Sequence, residues 1–535
     1  MSNTKNAYVL KTPARIVMIC CFFACSDLDN DHEYSSVSDG GSDDDPGVHG
    51  NGDVDSDTDS DADTDADTDA DSDADSDADG DADADTDTDT GPGSDYERVL
   101  QLAVRFYGAQ RCGDGDNWIL ADNPVGDSCH LDDGPAYQAN ADMTGGWHDA
   151  GDFIKFTLSN AWAGYVLLKA YDAFPEAFAD RDDPAYSGAP NGIPDVLDEA
   201  RYSVDYLVKV NPNPSTLIAR IGGDQDHSSW VTSPYQSTMP VSNGGGERPV
   251  YDGAKADIAG MAAASLALMS GLYRIHDAAR ADDYLEHAQD IYLIGKNNPG
   301  TTSDSFYADD SWKDNMMCAA VELYRATGQT SYRDEAVAYD AEMGSHGWVV
   351  DWANALDYCR HSLHRAGVTD RLAPWRSDVD QYLSSVSNDV YVDGMAYFGV
   401  DWGTLRYATG AAFSAALLFD ITGEEQYRSF ALSQLQYVMG ENEYGRSFII
   451  GFGNNPPAHP HHANAYGHDA LDWDLSRPFK FSLDGALVGG PTVGPAYGVT
   501  QPGYQDEVED YIGNEVTIDF NSGLVGMAAF AMTTP

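Results

Sequence analysis

The stretch Gly145-Gly146-Trp147-His148-Asp149-Ala150-Gly151-Asp152 places two aspartates three residues apart on a glycine-rich loop. On both sides of it apolar residues recur at three- and four-residue spacing, the mark of helix, and the pattern returns in block after block to the C-terminus. Helices are predicted near 95–110, 159–174, 194–210, 255–277, 281–293, 313–326, 331–343, 351–366, 372–386, 405–420, 425–440 and 521–533. Pro194 opens one block, and Thr327-Gly328 and Thr422-Gly423 close two others, as capping preferences dictate. Twelve helices in sequential hairpins suit an all-α (α/α)6 barrel, an inner ring wrapped by an outer one. The spacing alone also permits an irregular α-solenoid. The linking loops are long and rich in Gly, Pro, Asn and aromatics, and loops of that length in a compact domain usually carry function. The longest runs from about Gly440 to Asn521.

Upstream of this domain the composition excludes a packed core. The chain of 535 residues has 89 acidic against 29 basic residues, a formal charge of −60. Between Asp53 and Asp89 aspartate alternates with Thr, Ser and Ala. Such a run repels itself and has no apolar surface to offset chain entropy, so a disordered acidic linker is expected over 26–94. Alternating Asp can hold Ca2+, but the fixed Gly and terminal Glu of an EF-hand loop are absent, which leaves a solvated tether as the simpler reading. The charge balance also argues against nucleic-acid partners, which need a basic patch.

Residues 1–25 read as an export signal. Lys5, Lys11 and Arg15 precede the short apolar run Ile16 to Ala24 and then Cys25. The run is too short for a membrane span. Phe22-Phe23-Ala24-Cys25 resembles a loose bacterial lipobox, so the protein is expected at the cell surface, lipid-anchored at Cys25, or free outside the cell after ordinary signal cleavage. No other segment reads as a membrane span, and a monomer is expected. Of the remaining cysteines, Cys112 and Cys129 flank a Gly/Asp-rich loop and are able to pair in an oxidising compartment. Cys318 and Cys359 fall in predicted helices and read equally well as buried free thiols. No CxxC spacing points to zinc.

Near the C-terminus a second acidic motif answers the first: Tyr504-x-Asp506-x-x-x-x-Tyr511-x-x-x-Glu515-x-Thr517-x-x-x-Asn521-Ser522. Glycoside hydrolysis needs one protonated carboxyl at the leaving oxygen and one ionised partner, about 6.5–9.5 Å apart when the sugar is inverted. Asp149 and Asp152 are placed to share the orienting and deprotonation of one water. Glu515, beside Tyr511 and apolar neighbours, is placed to have its pKa raised by desolvation, as a general acid requires. An isolated Asp-x-x-Asp would be read as capping or ion pairing; the two motifs together change that balance.

Together these motifs resemble the active-site signatures of glycoside hydrolase family 9, the inverting cellulases. The resemblance extends to Phe106-Tyr107-Gly108-Ala109-Gln110-Arg111, Gly192-Ile193-Pro194-Asp195-Val196-Leu197-Asp198-Glu199-Ala200-Arg201, Ser447-Phe448-Ile449-Ile450-Gly451-Phe452-Gly453, His459-Pro460-His461-His462 and Gly485-Ala486-Leu487-Val488-Gly489-Gly490-Pro491. It covers most of 95–535, the expected catalytic domain. Asp195, Asp198 and Glu199 read as capping and surface charges. The resemblance implies Asp152 as base, Asp149 as a holder of the water, Glu515 as acid and His461 as a hydrogen-bonding partner of the sugar. It further implies a sugar-binding pair in His227 and Trp230, with Asp506 and Tyr511 supporting or lining the site.

Aromatics stack on the apolar face of a pyranose. Trp230, Trp312, Trp352, Trp402, Trp473 and Tyr511 are candidates, with core packing the simpler reading for all but Trp230 and Tyr511. His459, His461, His462 and His468 fit no zinc-hydrolase spacing. No cofactor is required by the carboxylate chemistry, and structural Ca2+ is admitted without assigned ligands.

Departures from the family pattern bear on substrate. Ala463 and Val508 stand where the family usually has Arg, Cys318 lies near a usual Trp that Trp312 would replace, and His148 stands where Tyr is common. Losing one guanidinium contact weakens sugar binding by about 1–3 kcal/mol. The implied activity is cleavage of internal β-1,4 bonds in cellulose or a related β-glucan. The rivals are an exo-acting glucosidase or glucosaminidase on oligosaccharides, and a non-catalytic surface sugar-binding protein.

Overall fold

Six long helices of this chain offer water almost no polar face, and they close on one another. The computed structural model describes residues 92–115, 117–181, 189–304, 306–309, 311–345, 347–494 and 501–534. The leader, Cys25 and nearly all of the expected linker lie outside the described residues. In chain order the helices are α1 (Pro92–Ala109), α2 (Thr157–Ala173), α3 (Asp195–Lys209), α4 (Ser233–Ser237), α5 (Ala256–Tyr273), α6 (Ala278–Asn297), α7 (Lys313–Thr327), α8 (Thr330–Met343), α9 (Leu356–Arg365), α10 (Leu372–Ser384), α11 (Thr404–Thr422), α12 (Glu425–Met439), α13 (Ala463–Tyr466), α14 (Tyr511–Asn514) and α15 (Ile518–Thr533). The twelve that span ten residues or more fall on the twelve predicted blocks.

Their packing closes a ring. Helix α2 packs on α5, α5 on α7, α7 on α9, α9 on α11, α11 on α15, and α15 back on α2. The other six long helices lie outside: α3 on α2, α6 on α5, α8 on α7, α10 on α9 and α11, α12 on α11, and α1 on α15. This is the (α/α)6 barrel, and closure excludes the open solenoid. The inner helices are buried nearly throughout, as shown by Ala262, Ala263, Ala264 and Leu266 of α5 and by Leu524, Val525, Met527 and Ala528 of α15. Helix α5 is long and apolar enough to cross a bilayer, which the sequence reading did not anticipate, but 89% of its apolar window is buried inside the domain. Gly328 and Gly423 take the left-handed conformation that ends α7 and α11.

Three findings correct the sequence reading. Cys318 of α7 and Cys359 of α9 form a disulfide between adjacent inner helices, whereas Cys112 and Cys129 are buried free thiols. Glu199 is not a surface charge: it is fully buried, paired with Arg111 at 2.8 Å and hydrogen-bonded by the Trp147 indole at 2.9 Å. A small antiparallel sheet, β1 (Lys155–Phe156), β2 (Ile218–Ile221) and β3 (Val250–Asp252), joins the otherwise helical fold in the order β1-β2-β3. Its register pairs Phe156 with Arg220 and Arg220 with Tyr251. Strand β1 begins three residues after Asp152 and so fixes the exit of the aspartate loop.

Candidate active site

Three segments far apart in sequence are laced together by main-chain hydrogen bonds. The Ala463 N–H donates to Gly151 O at 2.9 Å, the His461 N–H to Asn514 O at 2.8 Å, and the Ile518 N–H to Asp149 O at 3.0 Å. His461 and Glu515 pair as a short parallel bridge. The aspartate loop, the histidine segment and the acid segment therefore meet at one place. The glycine between the aspartates follows from this approach, since a Cβ at Gly151 would lie 2.0 Å from His461 O.

Local structure presents each carboxyl. Asp510 caps α14 by accepting from Gly513 N, Thr517 caps α15 by accepting from Phe520 N, and Glu515 stands in the break between the two helices. Trp162 and Arg406 both hold Asp519, in the first turn of α15. On the opposite side, Arg248 bridges Asp133, Asp226 and the Phe153 carbonyl. Asp226 precedes His227 and Phe153 follows Asp152, so this buried cation fixes the His227 turn against the aspartate loop.

The electrostatics separate the carboxyls. Burial would raise Asp152, but the hydrogen bond and charge of His227 outweigh it and hold the carboxyl below its ordinary value. His227 Nε2 lies 2.8 Å from Asp152 Oδ2, and the same contact outweighs burial to raise the imidazole. Burial pushes Glu515 up to about 7, with Asp152 and Asp519 adding to the shift and the Trp402 indole and Arg406 opposing it. Burial also drives Asp149 well above the usual carboxylate range, against the hydroxyls of Ser159 and Tyr307; Tyr307 donates to its Oδ2 at 2.6 Å. At neutral pH one carboxylate is ionised, and a second carboxyl is poised to give up a proton. General acid–base chemistry needs that division.

The remaining sequence candidates fall around this centre. Trp230 packs 4.6 Å from the His461 ring, and Tyr511 lies 6.0 Å from it. His461 Nδ1 lies 2.7 Å from Val508 O, an acceptor only, so Nδ1 carries the proton. Burial keeps this imidazole neutral. Asp152, His227, His461, Tyr511 and Glu515 all retain partial exposure within buried surroundings. Asp506 serves differently: its carboxylate accepts from Ala458 N and His459 N and pairs with Arg446, so it shapes the histidine segment.

Two contacts escaped the sequence reading. Trp402, a stacking candidate there with core packing the simpler reading, is partly exposed and donates its indole N–H to Glu515 Oε2 at 2.5 Å. Tyr307, the donor to Asp149, was not a candidate. Neither sits in a recognisable motif; the Asp-Trp-Gly context of Trp402 is the one faint signal.

Metal donors also gather, away from the histidine run. His462 Nε2 meets Gln110 Oε1 at 2.7 Å, His468 Nε2 meets Pro478 O at 2.8 Å, and His459 lies against Asp506. Cys112, Cys129, His130 and His148, by contrast, place one ligand atom each within 4.8 Å of all the others. Adjacent donors are 3.6–3.7 Å apart. Those edges fit a tetrahedron with Zn–S near 2.3 Å and Zn–N near 2.0–2.1 Å. Gln236 Oε1 lies 3.1 Å from the outer His130 nitrogen, which orients the ring as ligand-supporting contacts do. The absence of a CxxC spacing therefore did not exclude a zinc-competent cluster.

A closed (α/α)6 barrel with this carboxylate centre is the frame of a glycoside hydrolase. The model of the family described as "Glycosyl hydrolase family 9" matches residues 96–528, and the chain belongs to that family. It is similar to endoglucanase A of Bacillus pumilus, 30% identical over 469 residues, which cover 81% of this chain and 66% of that relative. The chain thus spans just under two thirds of that relative's length. Among solved structures it is similar to the cellulase Cel9M of C. cellulolyticum (27% identity, TM-score 0.70, 83% of this chain and 99% of that one). It is also similar to an endoglucanase from the termite Nasutitermes takasagoensis (30% identity, TM-score 0.69, 82% and 99%).

Proposed function

We propose that this protein hydrolyses internal β-1,4-glucosidic bonds of cellulose or a related β-glucan, with inversion at the anomeric carbon. Asp152 is the base, Asp149 orients the attacking water, and Glu515 protonates the leaving oxygen. His461 Nε2 accepts from a sugar hydroxyl, and His227, Trp230 and Tyr511 line the binding surface. The observation that carries this reading is the opposed displacement of two carboxyls in one laced site, Asp152 downward and Glu515 up to about 7. The endoglucanase and cellulase names of the similar proteins support the substrate class.

The reaction itself uses carboxylates and needs no metal. A zinc ion at Cys112, Cys129, His130 and His148 would staple the loop after α1 to the residue preceding Asp149 and supply fold stability. Ca2+ prefers oxygen donors and does not match this set. Export to the cell exterior, either free or held at the surface by lipid attachment at Cys25, remains the proposed location.

The test is direct. Asp152→Asn and Glu515→Gln should each lower kcat on a soluble β-glucan by at least about a hundredfold while the fold is kept. Proton NMR of the fresh product should show the α-anomer. Near-normal turnover in either variant, or a β-anomer, would overturn the assignment.

A further inference from the structure

The barrel core is not the only apolar assembly. Phe153, Trp230, Ala463, Tyr466 and Val508 form a separate buried cluster, flanked by Leu475 and Phe479. It lies beside the centre just described: Phe153 follows Asp152, Trp230 touches the His461 ring, and the Val508 carbonyl holds His461. Ala463 and Val508 are the two positions at which the family resemblance led to an expectation of arginine. Here they are 1% and 8% exposed and packed against rings. At these positions the chain packs aliphatic side chains against aromatic rings, where the resemblance led to an expectation of guanidinium forks.

Trp473 stands at the edge of this cluster. Its ring lies 6.3 Å from that of Trp230 with the planes 28° apart, close to parallel. Unlike Trp230, which is 5% exposed, Trp473 is 42% exposed. Scattered exposed apolar residues need no explanation; this one is held out against its own backbone preference. Its φ is +52°, in the left-handed region, where a bulky side chain carries strain. The surrounding loop is tied down on several sides. Arg477 pairs with Asp472, the Tyr466 hydroxyl donates to Asp474 O, and Leu475 N donates to Trp473 O at 3.1 Å. Asp469 accepts from both Thr232 N and Thr232 Oγ1, two residues after Trp230. A strained, clamped and exposed indole nearly parallel to a second tryptophan is a platform for a flat apolar face, and the C–H face of a pyranose is one.

We propose that Trp473 is a specificity-determining, sugar-stacking residue that extends the binding surface outward from Trp230, so that this enzyme holds a β-glucan chain there by stacking where guanidinium hydrogen bonds are missing. The inference rests on the β-glucanase reading and names an outlying subsite of that site. The wild-type enzyme, Trp473→Phe, Trp473→Ala and Trp473→Gly are compared on a ladder of cello-oligosaccharides by kcat and KM, with thermal melts of each. With Trp473→Ala, KM should rise about two- to tenfold for the longest oligosaccharides, with a smaller effect on the shortest cleaved one and little change in kcat. Trp473→Phe should restore most of the loss. Trp473→Gly should weaken long-chain binding in the same way while its melting temperature holds or rises, because glycine accepts φ of +52° without strain. A merely structural tryptophan would lower both. Length-independent kinetics in Trp473→Ala, or a loss confined to kcat, would overturn the proposal and leave the β-glucanase reading intact. A wild-type enzyme that cleaves no member of the ladder would sink that reading, and this proposal with it.

Discussion

The indole N–H of Trp402 donates to Oε2 of Glu515 at 2.5 Å. The bond favours the ionised carboxylate, so it opposes the burial that raises Glu515 to about 7. Trp402 therefore helps set how far the Glu515 proton is held at neutral pH. Removing the donor with Trp402→Phe should raise Glu515 further and move the basic limb of the kcat/KM profile to higher pH. An unmoved basic limb in a folded variant would show that the limb does not report Glu515.

His227 acts on the other limb. It keeps Asp152 ionised by pairing with it at 2.8 Å. In His227→Ala the Asp152 carboxyl should rise, and the acidic limb of kcat/KM should shift upward in pH. Activity at the optimum should fall as well, because His227 also belongs to the proposed binding surface. A pH profile with its acidic limb unchanged would argue against Asp152 as the titrating base.

Glu515 also makes a stability prediction whose sign is fixed. Its folded pKa, about 7, lies above its ordinary value. Its contribution is therefore fully present below the ordinary carboxylate range and is lost as pH rises through about 7. Glu515→Gln removes that loss. Thermal melts of variant and wild type should agree most closely near pH ~4, separate as the pH rises from there to ~7 and stay apart above it, with the variant the more stable by about 1–3 kcal/mol. Equal melting temperatures on the alkaline side would contradict the raised pKa.

The disulfide between α7 and α9 closes a stretch with a sequence separation of 41 within the inner ring. Replacing Cys318 and Cys359 together with alanine should cost about 2–4 kcal/mol in urea unfolding. Mass spectrometry of unreduced peptides should find this linkage and leave Cys112 and Cys129 alkylatable after unfolding in chelator. A Cys112–Cys129 linkage in that experiment would reverse the assignment.

The free cysteines carry their own test. Native mass spectrometry of the purified protein should find one zinc ion per chain, absent in Cys112→Ser. Chelation should lower the melting temperature. A metal-free protein with unaltered stability would remove zinc from the account.

The twelve long helices were legible because apolar periodicity survives in a single sequence, and Pro194, Gly328 and Gly423 mark their ends locally. Asp149, Asp152 and Glu515 stood out because their neighbours form recognisable motifs, and the structure brings those segments to one place. Trp402 was not, since its role is set by a partner 113 residues away. The same holds for Cys318 and Cys359, whose pairing depends on which helix faces meet. The cluster of Cys112, Cys129, His130 and His148 draws its ligands from separate loop segments and so shows no compact spacing. Strands of two to four residues, like β1, β2 and β3, are too short to display an alternating pattern. Glu199 was misread because capping rules see sequence position and not the Arg111 that buries with it.

The bonds that lace the aspartate loop, the histidine segment and the acid segment run through main-chain atoms, which no substitution short of proline at the donor deletes. Silencing Asp152 or Glu515 should therefore leave the scaffold around the reaction centre standing. Such a variant would be a substrate trap, able to keep an uncut oligosaccharide seated long enough for its pose, ring pucker and direction to be read crystallographically.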